Sequence, residues 1–459
     1  MKKRLEQGVI LLGTFLVAFM GSALNPAIPS ISGEFHADVS QSGWIVTAYM
    51  VTCTALPVPF GRWAEQTEPK KILAGGLGVF TAASLIGIFI PSMGLLLGVR
   101  ALQGIGTAMI YSTGMWILIR GASEALRSKL LGYSSAAMYL GLASGPAVGG
   151  ILNQYLGWRM IFAAAAVFSA VAFSGSLMIL KHDRTEDYGF PAPGKTYPSG
   201  SSIVLYASAA AAFTAGLQLI SAGWWGWIAV AGGFILIVLY AVREKQTERP
   251  LLPLKQLRKR PALGIHCISS IISCGVNFVI NYLLSLYLQI GMGISPQKAG
   301  LLLILSPAVQ AVTSVGVGKV MMQTRVSPRI LAAVGILGSG GAALWFSQIN
   351  GQWPVWAICV GLGAAGFFSA MFTAPNTMEI MNEAGKERMN LASALISTVR
   401  SLGNSTGVAS ASLASSFLLG QARLSEADPE MLTEVLKLVF SFWAVLCILG
   451  FIMELRKKV

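Results

Sequence analysis

Two arginines stand inside stretches of sequence that otherwise exclude charge. Arg100 lies about two helical turns into the apolar run 94–119, and Arg400 lies near the middle of 390–419. A charge held away from water costs several kcal/mol, so each arginine is a candidate for moving a proton or a charged solute. Each also has a structural reading as a donor to nearby carbonyls, with Arg400 capping those of neighbouring helices. Neutral polar residues accompany them in other apolar runs: Asn25; Gln103 and Tyr111; Asn277, Asn281 and Tyr282; and Asn376. Asn277 and Asn281 are four apart and share a helix face, either lining a cavity or bonding a neighbouring helix. None of the nineteen carboxylates falls near the middle of an apolar run. Glu379 comes closest, at the end of 353–378, where it reads as a solvated interface residue. His266, near the start of 263–289, reads as a structural histidine. The five cysteines have no metal-ligand spacing and read as unpaired apolar residues. Neither a nucleotide-binding loop nor a nucleophile–base pair is present, so no enzyme activity, metal or cofactor is expected.

The elements that must position these residues follow from composition. Of 459 residues, 54% are hydrophobic and only 11% charged, where soluble domains carry about 25%. The chain reads as an all-α integral membrane protein. Spanning the hydrocarbon core takes about 20 mainly apolar residues. Fourteen such stretches occur, near 8–30, 44–60, 72–90, 94–119, 130–153, 160–181, 202–220, 225–242, 263–289, 297–318, 329–348, 353–378, 390–419 and 434–454. They are called spans 1 to 14. The first resembles a signal peptide, but it lacks a clean cleavage site and reads as a retained span.

An even number of spans puts both termini on one side, and loop charge says which. With the N-terminus in the cytoplasm, the inward segments carry twenty-seven lysines and arginines, the outward loops four. That asymmetry sets the orientation in a cell membrane and accounts for the net charge of +14 without any nucleic-acid partner. The polar segments 181–200 and 243–261 are too short to hold a core and read as connectors around spans 7 and 8. Setting that pair aside leaves six spans before it and six after. The expected divisions are residues 1–181, 182–262 and 263–459. A weak internal echo agrees: "GRWAEQTEPKKILAGG" (61–76) follows span 2, and "GKVMMQTRVSPRILAAVG" (318–335) follows span 10.

Span 5 contains "GLASGPAVGGIL" (141–152). Gly141, Gly145 and Gly149 recur every four residues and form one smooth stripe, while Pro146 removes a backbone donor. In lipid, small residues at this spacing let two helix backbones approach closely.

The stretch resembles the fifth-helix antiporter motif of the major facilitator superfamily, associated with exporters. "LLLGVRALQGIGTAM" (95–109) is similar to that superfamily's fourth-helix motif. "SGWIVTAYM" (42–50), "WRMIF" (158–162), "ERPLLPLKQL" (248–257), "YLQIGMGISPQKAGLLLILSP" (287–307) and "ASALISTVRSLGNSTGVA" (392–409) resemble the fourteen-span drug:proton antiporter family. Two departures stand out. "FMGSALNPAIP" (19–29) has Gly21 where the family carries an acid, and the loop after span 2 keeps Glu65 but lacks the family's arginine. Glu65 either contacts Arg120 or Arg127 as a gate or lies in a solvated loop.

The resemblance implies two six-helix bundles with spans 7 and 8 inserted. It places spans 1, 4, 9 and 12 around a central cavity and span 13 at the periphery. On that view the substrate-facing set is Asn25, Gln103, Tyr111, Asn277, Asn281, Tyr282 and Asn376. The coupling and gating set is Arg100, Glu65, Arg120, Arg127, Gly141, Gly145, Pro146, Gly149 and Arg400. The expected function is proton-driven export of a small amphiphilic compound by a monomer using alternating access. Two alternatives stay open. One is transport of neutral, anionic or lipid-like solutes with Arg100 as the anion partner and little or no proton coupling. The other is a non-transporting membrane sensor or scaffold.

Overall fold

The computed structural model describes residues 2–37, 39–64, 67–120, 124–181, 200–220, 223–246, 251, 260–323, 326–350, 353–384, 389–419 and 429–455. Every regular element among them is helical. Thirteen helical segments are long and apolar enough to cross a bilayer. The helix Met389–Leu419, span 13, is also long but carries eight serines. It packs against spans 2, 4, 9 and 14.

Several spans are broken where the sequence withholds a backbone donor. Span 1 runs as Lys2–Ser22, a 3-10 turn Asn25–Ala27 and a short helix Ile28–Glu34. Pro26 and Pro29 supply no N–H there, so the α-helical hydrogen-bond ladder cannot run through. Span 2 divides into Val39–Ala55 and Pro57–Ala64, and span 10 into Pro296–Leu303 and Leu305–Gln323. Span 9, Pro261–Leu286, ends in a π-turn Tyr287–Gly291. Spans 4, 5 and 12 stay continuous as Met93–Ile119, Glu124–Leu156 and Val355–Ala384, although Pro146 and Pro375 lie inside the last two.

Two apolar clusters organise the packing. Leu16, Phe19, Phe80, Ile110, Trp158 and Phe162 belong to one, drawn from spans 1 to 6. Val276, Ile280, Phe346, Phe372, Phe440 and Trp443 belong to the other, which also takes in Tyr49 and Met50 of span 2. Spans 7 (Gly200–Leu219) and 8 (Trp224–Gln246) pack on each other through glycines. Span 7 then leans on the seam between spans 2 and 13. There the Thr47 hydroxyl donates to Gln218 Oε1 at 3.1 Å, and Gly43 lies against both Gln218 and Ser412. The five cysteines are free thiols.

At the face opposite the chain termini, the "WRMIF" stretch has a concrete job. The Arg159 guanidinium grips the Glu34 carboxylate with both arms, at 2.7 and 3.1 Å, and Trp158 Nε1 donates to the same group at 2.7 Å. Arg159 also donates to the Ile90 carbonyl at 2.8 Å, so one side chain ties the ends of spans 1, 3 and 6. A fork of this kind fixes geometry as well as charge.

Candidate functional site

Arg100 is held inside the wall of the first bundle. It is 1% exposed, Nε donates to the Ile45 carbonyl at 3.0 Å, and an arm donates to Gln103 Oε1 at 2.9 Å. Its guanidinium carbon lies 4.4 Å from the centre of the Tyr49 ring. Gln103 passes the chain on, donating to Ser84 Oγ at 3.0 Å, and the Tyr49 hydroxyl bonds Thr107 at 2.9 Å. Spans 2, 3 and 4 are thereby cross-linked by one planar cation and its partners. No carboxylate pairs with Arg100 among the described residues. Gln103, fully buried, serves this network.

That geometry predicts a strong preference for arginine over lysine. A lysine ammonium cannot donate along two fixed directions while lying flat on a ring. Arg100→Lys is expected to lower thermal stability by about 2 kcal/mol, the scale of a buried acceptor left unmet. Thermal unfolding in detergent checks this; a wild-type melting temperature would refute the clamp.

Arg400 occupies a different setting. It stands eleven residues into span 13, half-buried, with one arm 2.8 Å from Met138 Sδ of span 5. The Cys274 thiol of span 9 lies within its hydrogen-bonding reach. The hydroxyls of Tyr111 on span 4 and Tyr139 on span 5 lie within electrostatic range of it. Thr373 of span 12 lies beside the Tyr139 hydroxyl. Spans 4 and 5 come from the first cluster of helices, and spans 9, 12 and 13 from the second. Arg400 therefore sits where the two halves face each other, with no carboxylate paired to it among the described residues. The family resemblance implied a peripheral span 13, with both arginines in the coupling and gating set. The structure places Arg400 between the halves and Arg100 within one of them.

Span 9 presents a polar stripe to the same place. Cys274, Asn277 and Asn281 are half-buried at i, i+3 and i+7, while Ser273, Val276, Val279 and Ile280 on its other faces are buried. Asn281 Nδ2 donates to the Asn277 carbonyl at 2.9 Å. This leaves each asparagine with donors or acceptors for another partner. Tyr282, by contrast, is buried in the apolar cluster. Asn376 is buried near the terminal face, where its Nδ2 donates to the His266 carbonyl at 3.1 Å and to Ser270 Oγ at 2.6 Å. Asn25 is buried in the 3-10 turn of span 1, which packs on spans 5, 9 and 10.

Met138, Tyr139, Cys274 and Thr373 were missed by sequence reasoning. For Cys274 a signal existed, since it shares the Asn277–Asn281 face. Tyr139 and Thr373 are ordinary residues of apolar helices, and only the fold brings them together.

The glycine stripe lies against span 1. A methyl at Gly141, Gly145 or Gly149 would collide with the Phe15, Phe19 or Ala23 carbonyl, respectively. The next residue, Gly150, faces a different helix, with the Pro296 carbonyl of span 10 against it. Gly300 of span 10 meets the Pro146 carbonyl in return. One face of span 5 thus closes on its own bundle and another on the opposite half, where the Tyr155 hydroxyl donates to Gln297 Oε1 at 3.1 Å. Among the expected gate residues, Glu65 and the Arg127 side chain lie outside the described residues. Arg120 stacks over Trp116, its guanidinium carbon 5.3 Å from the ring centre.

Comparison with known proteins agrees with this architecture. The chain is 24% identical over 411 residues to the riboflavin transporter RibZ of Clostridioides difficile, covering 87% of this chain and 86% of that one. It is 26% identical over 395 residues to the methylenomycin A resistance protein of Streptomyces coelicolor, covering 84% and 80%. The fold is similar to the crystal structure of the human organic anion transporter MFSD10 (TETRAN), with a TM-score of 0.68 and 16% identity over 98% and 99% of the two chains. Residues 10–408 match the sequence profile of the Major Facilitator Superfamily, and the chain belongs to that family of membrane transporters.

Proposed function

We propose that this protein exports small amphiphilic molecules across the cell membrane, with both termini in the cytoplasm, and that it favours neutral and anionic molecules over cations. The observation that carries this reading is the Arg400 guanidinium between the two halves, 2.8 Å from Met138 Sδ and within electrostatic range of Tyr111, Tyr139 and Cys274. A half-buried cation in a site of low dielectric attracts an anionic head group and repels a second cation. Tyrosine hydroxyls and the Asn277–Asn281 pair add neutral donors and acceptors, which suit a molecule with few formal charges. Outward direction is supported by the span 5 motif and by relatives named for antibiotic resistance. The likeness of several stretches to the fourteen-span drug:proton antiporters supports proton entry as the driving force. Flexing of the two halves about the site gives alternating access.

The test is flux in proteoliposomes with an imposed pH gradient, using fluorescein as anion, riboflavin as neutral solute and ethidium as cation. Fluorescein and riboflavin are expected to move, with ethidium slower by roughly tenfold or more, the scale of one uncompensated like-charge contact. Efficient ethidium export would overturn the charge preference, and absence of flux for all three would overturn the transport reading.

A further inference from the structure

The second bundle contains a line of three titratable side chains that the substrate site does not use. His266 of span 9 is 2% exposed and stands between two carboxylates. Its Nδ1 lies 3.2 Å from Oε1 of Glu454 on span 14, itself fully buried, and its Nε2 lies 3.8 Å from Oε2 of Glu379 on span 12. Glu379 keeps 22% of its side chain exposed, so the line runs from a solvent-touching carboxylate through an imidazole to a buried one.

We infer that Glu379, His266 and Glu454 form a proton-binding site, and that its occupancy couples proton movement to the motion of spans 9 and 12. The inference rests on the proton-driven reading above and names the residues that would carry the proton.

The chemistry follows from what an imidazole between two carboxylates can hold. An imidazolium donates from both nitrogens to two carboxylates; a neutral imidazole donates once and needs a protonated carboxyl opposite its lone pair. In this geometry Nδ1 meets Glu454 at hydrogen-bond distance, while Nε2 and Glu379, 3.8 Å apart, are within ion-pairing range and close to a hydrogen bond only when span 12 shifts toward span 9. The second Glu454 oxygen is buried and has no hydrogen-bond partner. A carboxylate oxygen in that position is costly, and a proton on it removes the charge. Transfer balances atom for atom. Once the 3.8 Å gap between Glu379 and His266 closes to a hydrogen bond, a proton on Glu379 passes to His266 Nε2 while Nδ1 gives its own proton to Glu454, and the reverse transfer resets the imidazole.

Other charged groups lie at this end: Arg329 of span 11, whose Nε donates to the Glu454 backbone carbonyl, and Arg260, which donates to the carbonyl of Glu383, a further acid on span 12. The Cys267 thiol is next to His266 in the chain. These two hydrogen bonds are to backbone oxygens, while Glu454 Oε1 takes the imidazole as its partner.

Coupling has a physical route. Asn376, three residues before Glu379 on span 12, donates to the His266 carbonyl and to Ser270. A change of charge between Glu379 and His266 thus acts on the joint that holds spans 9 and 12 together. Span 9 then carries any displacement to Cys274, eight residues and about 12 Å further along the same helix, beside Arg400.

Two measurements on the full chain test the proposal. In nanodiscs, infrared difference spectra between alkaline and acid buffer should show a buried-carboxyl band that is lost in Glu454→Gln and shifted in His266→Gln. Identical spectra for the wild type and the Glu379→Gln/Glu454→Gln double variant would overturn the site. In proteoliposomes, Glu379→Gln should reduce pH-driven fluorescein accumulation at least tenfold while exchange of labelled for unlabelled fluorescein stays within threefold. Unchanged pH-driven accumulation in the double variant would overturn the coupling, and a merely structural clamp would lower stability without separating accumulation from exchange. Should the wild type move no probe, the transport reading fails, and the infrared result still decides the proton site.

Discussion

Replacing Arg400 with glutamine is expected to cost about 10- to 100-fold in apparent affinity for fluorescein and less than about threefold for riboflavin. The magnitude comes from charge. Two unit charges 4 Å apart attract by about 4 kcal/mol at an effective dielectric of 20. Desolvation of the anion removes part of this, leaving about 1.4 to 3 kcal/mol, and each 1.4 kcal/mol is tenfold in binding. Glutamine keeps length and donors but loses the charge. A neutral substrate that only hydrogen-bonds the guanidinium should therefore notice little. Ethidium should move faster, because the like charge is gone. Proteoliposome flux across the three probes checks all arms at once. Equal losses for fluorescein and riboflavin would mean that Arg400 holds helices together and does not select charge. Arg400→Lys should sit between the wild type and glutamine for the anion, keeping the charge without the planar fork.

The contrast with Arg100 shows what the sequence supports and where it stops. Both residues read alike: a lone arginine within an apolar run. Hydropathy places each at membrane depth but says nothing of what lies across from it. Arg100 meets Ile45 and Tyr49 of span 2, more than fifty residues earlier, and Arg400 meets Met138 and Cys274, each more than a hundred residues away. Those partners are set by helix rotation and packing, which a stripe of similar apolar residues specifies weakly. The all-helical membrane fold, by contrast, was readable, because runs of about 20 apolar residues have few other stable arrangements.

Position along a span and burial are different properties, as the carboxylates show. Glu454 ends span 14, one of the nineteen carboxylates away from a span's middle, yet it is fully buried. Glu379 and His266 lie at the ends of two other spans and read separately as an interface residue and a structural histidine. Distance from the middle of a span is a sound guide to depth along one helix. It is a poor guide to burial when three helix ends converge, because neighbouring spans exclude water there. The glycine stripe was readable in kind, since four-residue spacing specifies a close contact. Which helix it meets was not.

The two faces of span 5 lead to opposite expected outcomes from neighbouring substitutions. Gly149 lies against Ala23 of span 1, within the same bundle, and Gly150 lies against Pro296 of span 10, in the other half. A contact inside one bundle persists through the transport cycle, whereas a contact between halves must open for the site to face this side. Gly149→Leu should therefore damage the bundle itself. Inserting bulk into a packed contact costs about 1–3 kcal/mol or more, so a marked fall in thermal stability is expected, with loss of transport following from it. Gly150→Leu should leave thermal stability close to wild type, because the halves can part to accommodate the side chain. Transport should nevertheless fall by more than about tenfold, since a wedge of about 2 kcal/mol disfavours the closed state by that factor. Gly8→Leu and Gly264→Leu serve as controls, as neither glycine has a neighbouring atom within 4 Å of an added Cβ. Thermal unfolding and fluorescein flux measured on the same preparations separate the two effects. If Gly150→Leu loses stability as steeply as Gly149→Leu, the span 5–span 10 contact is permanent and does not open during the cycle. If Gly150→Leu transports normally, closure at that face does not need the two backbones to touch.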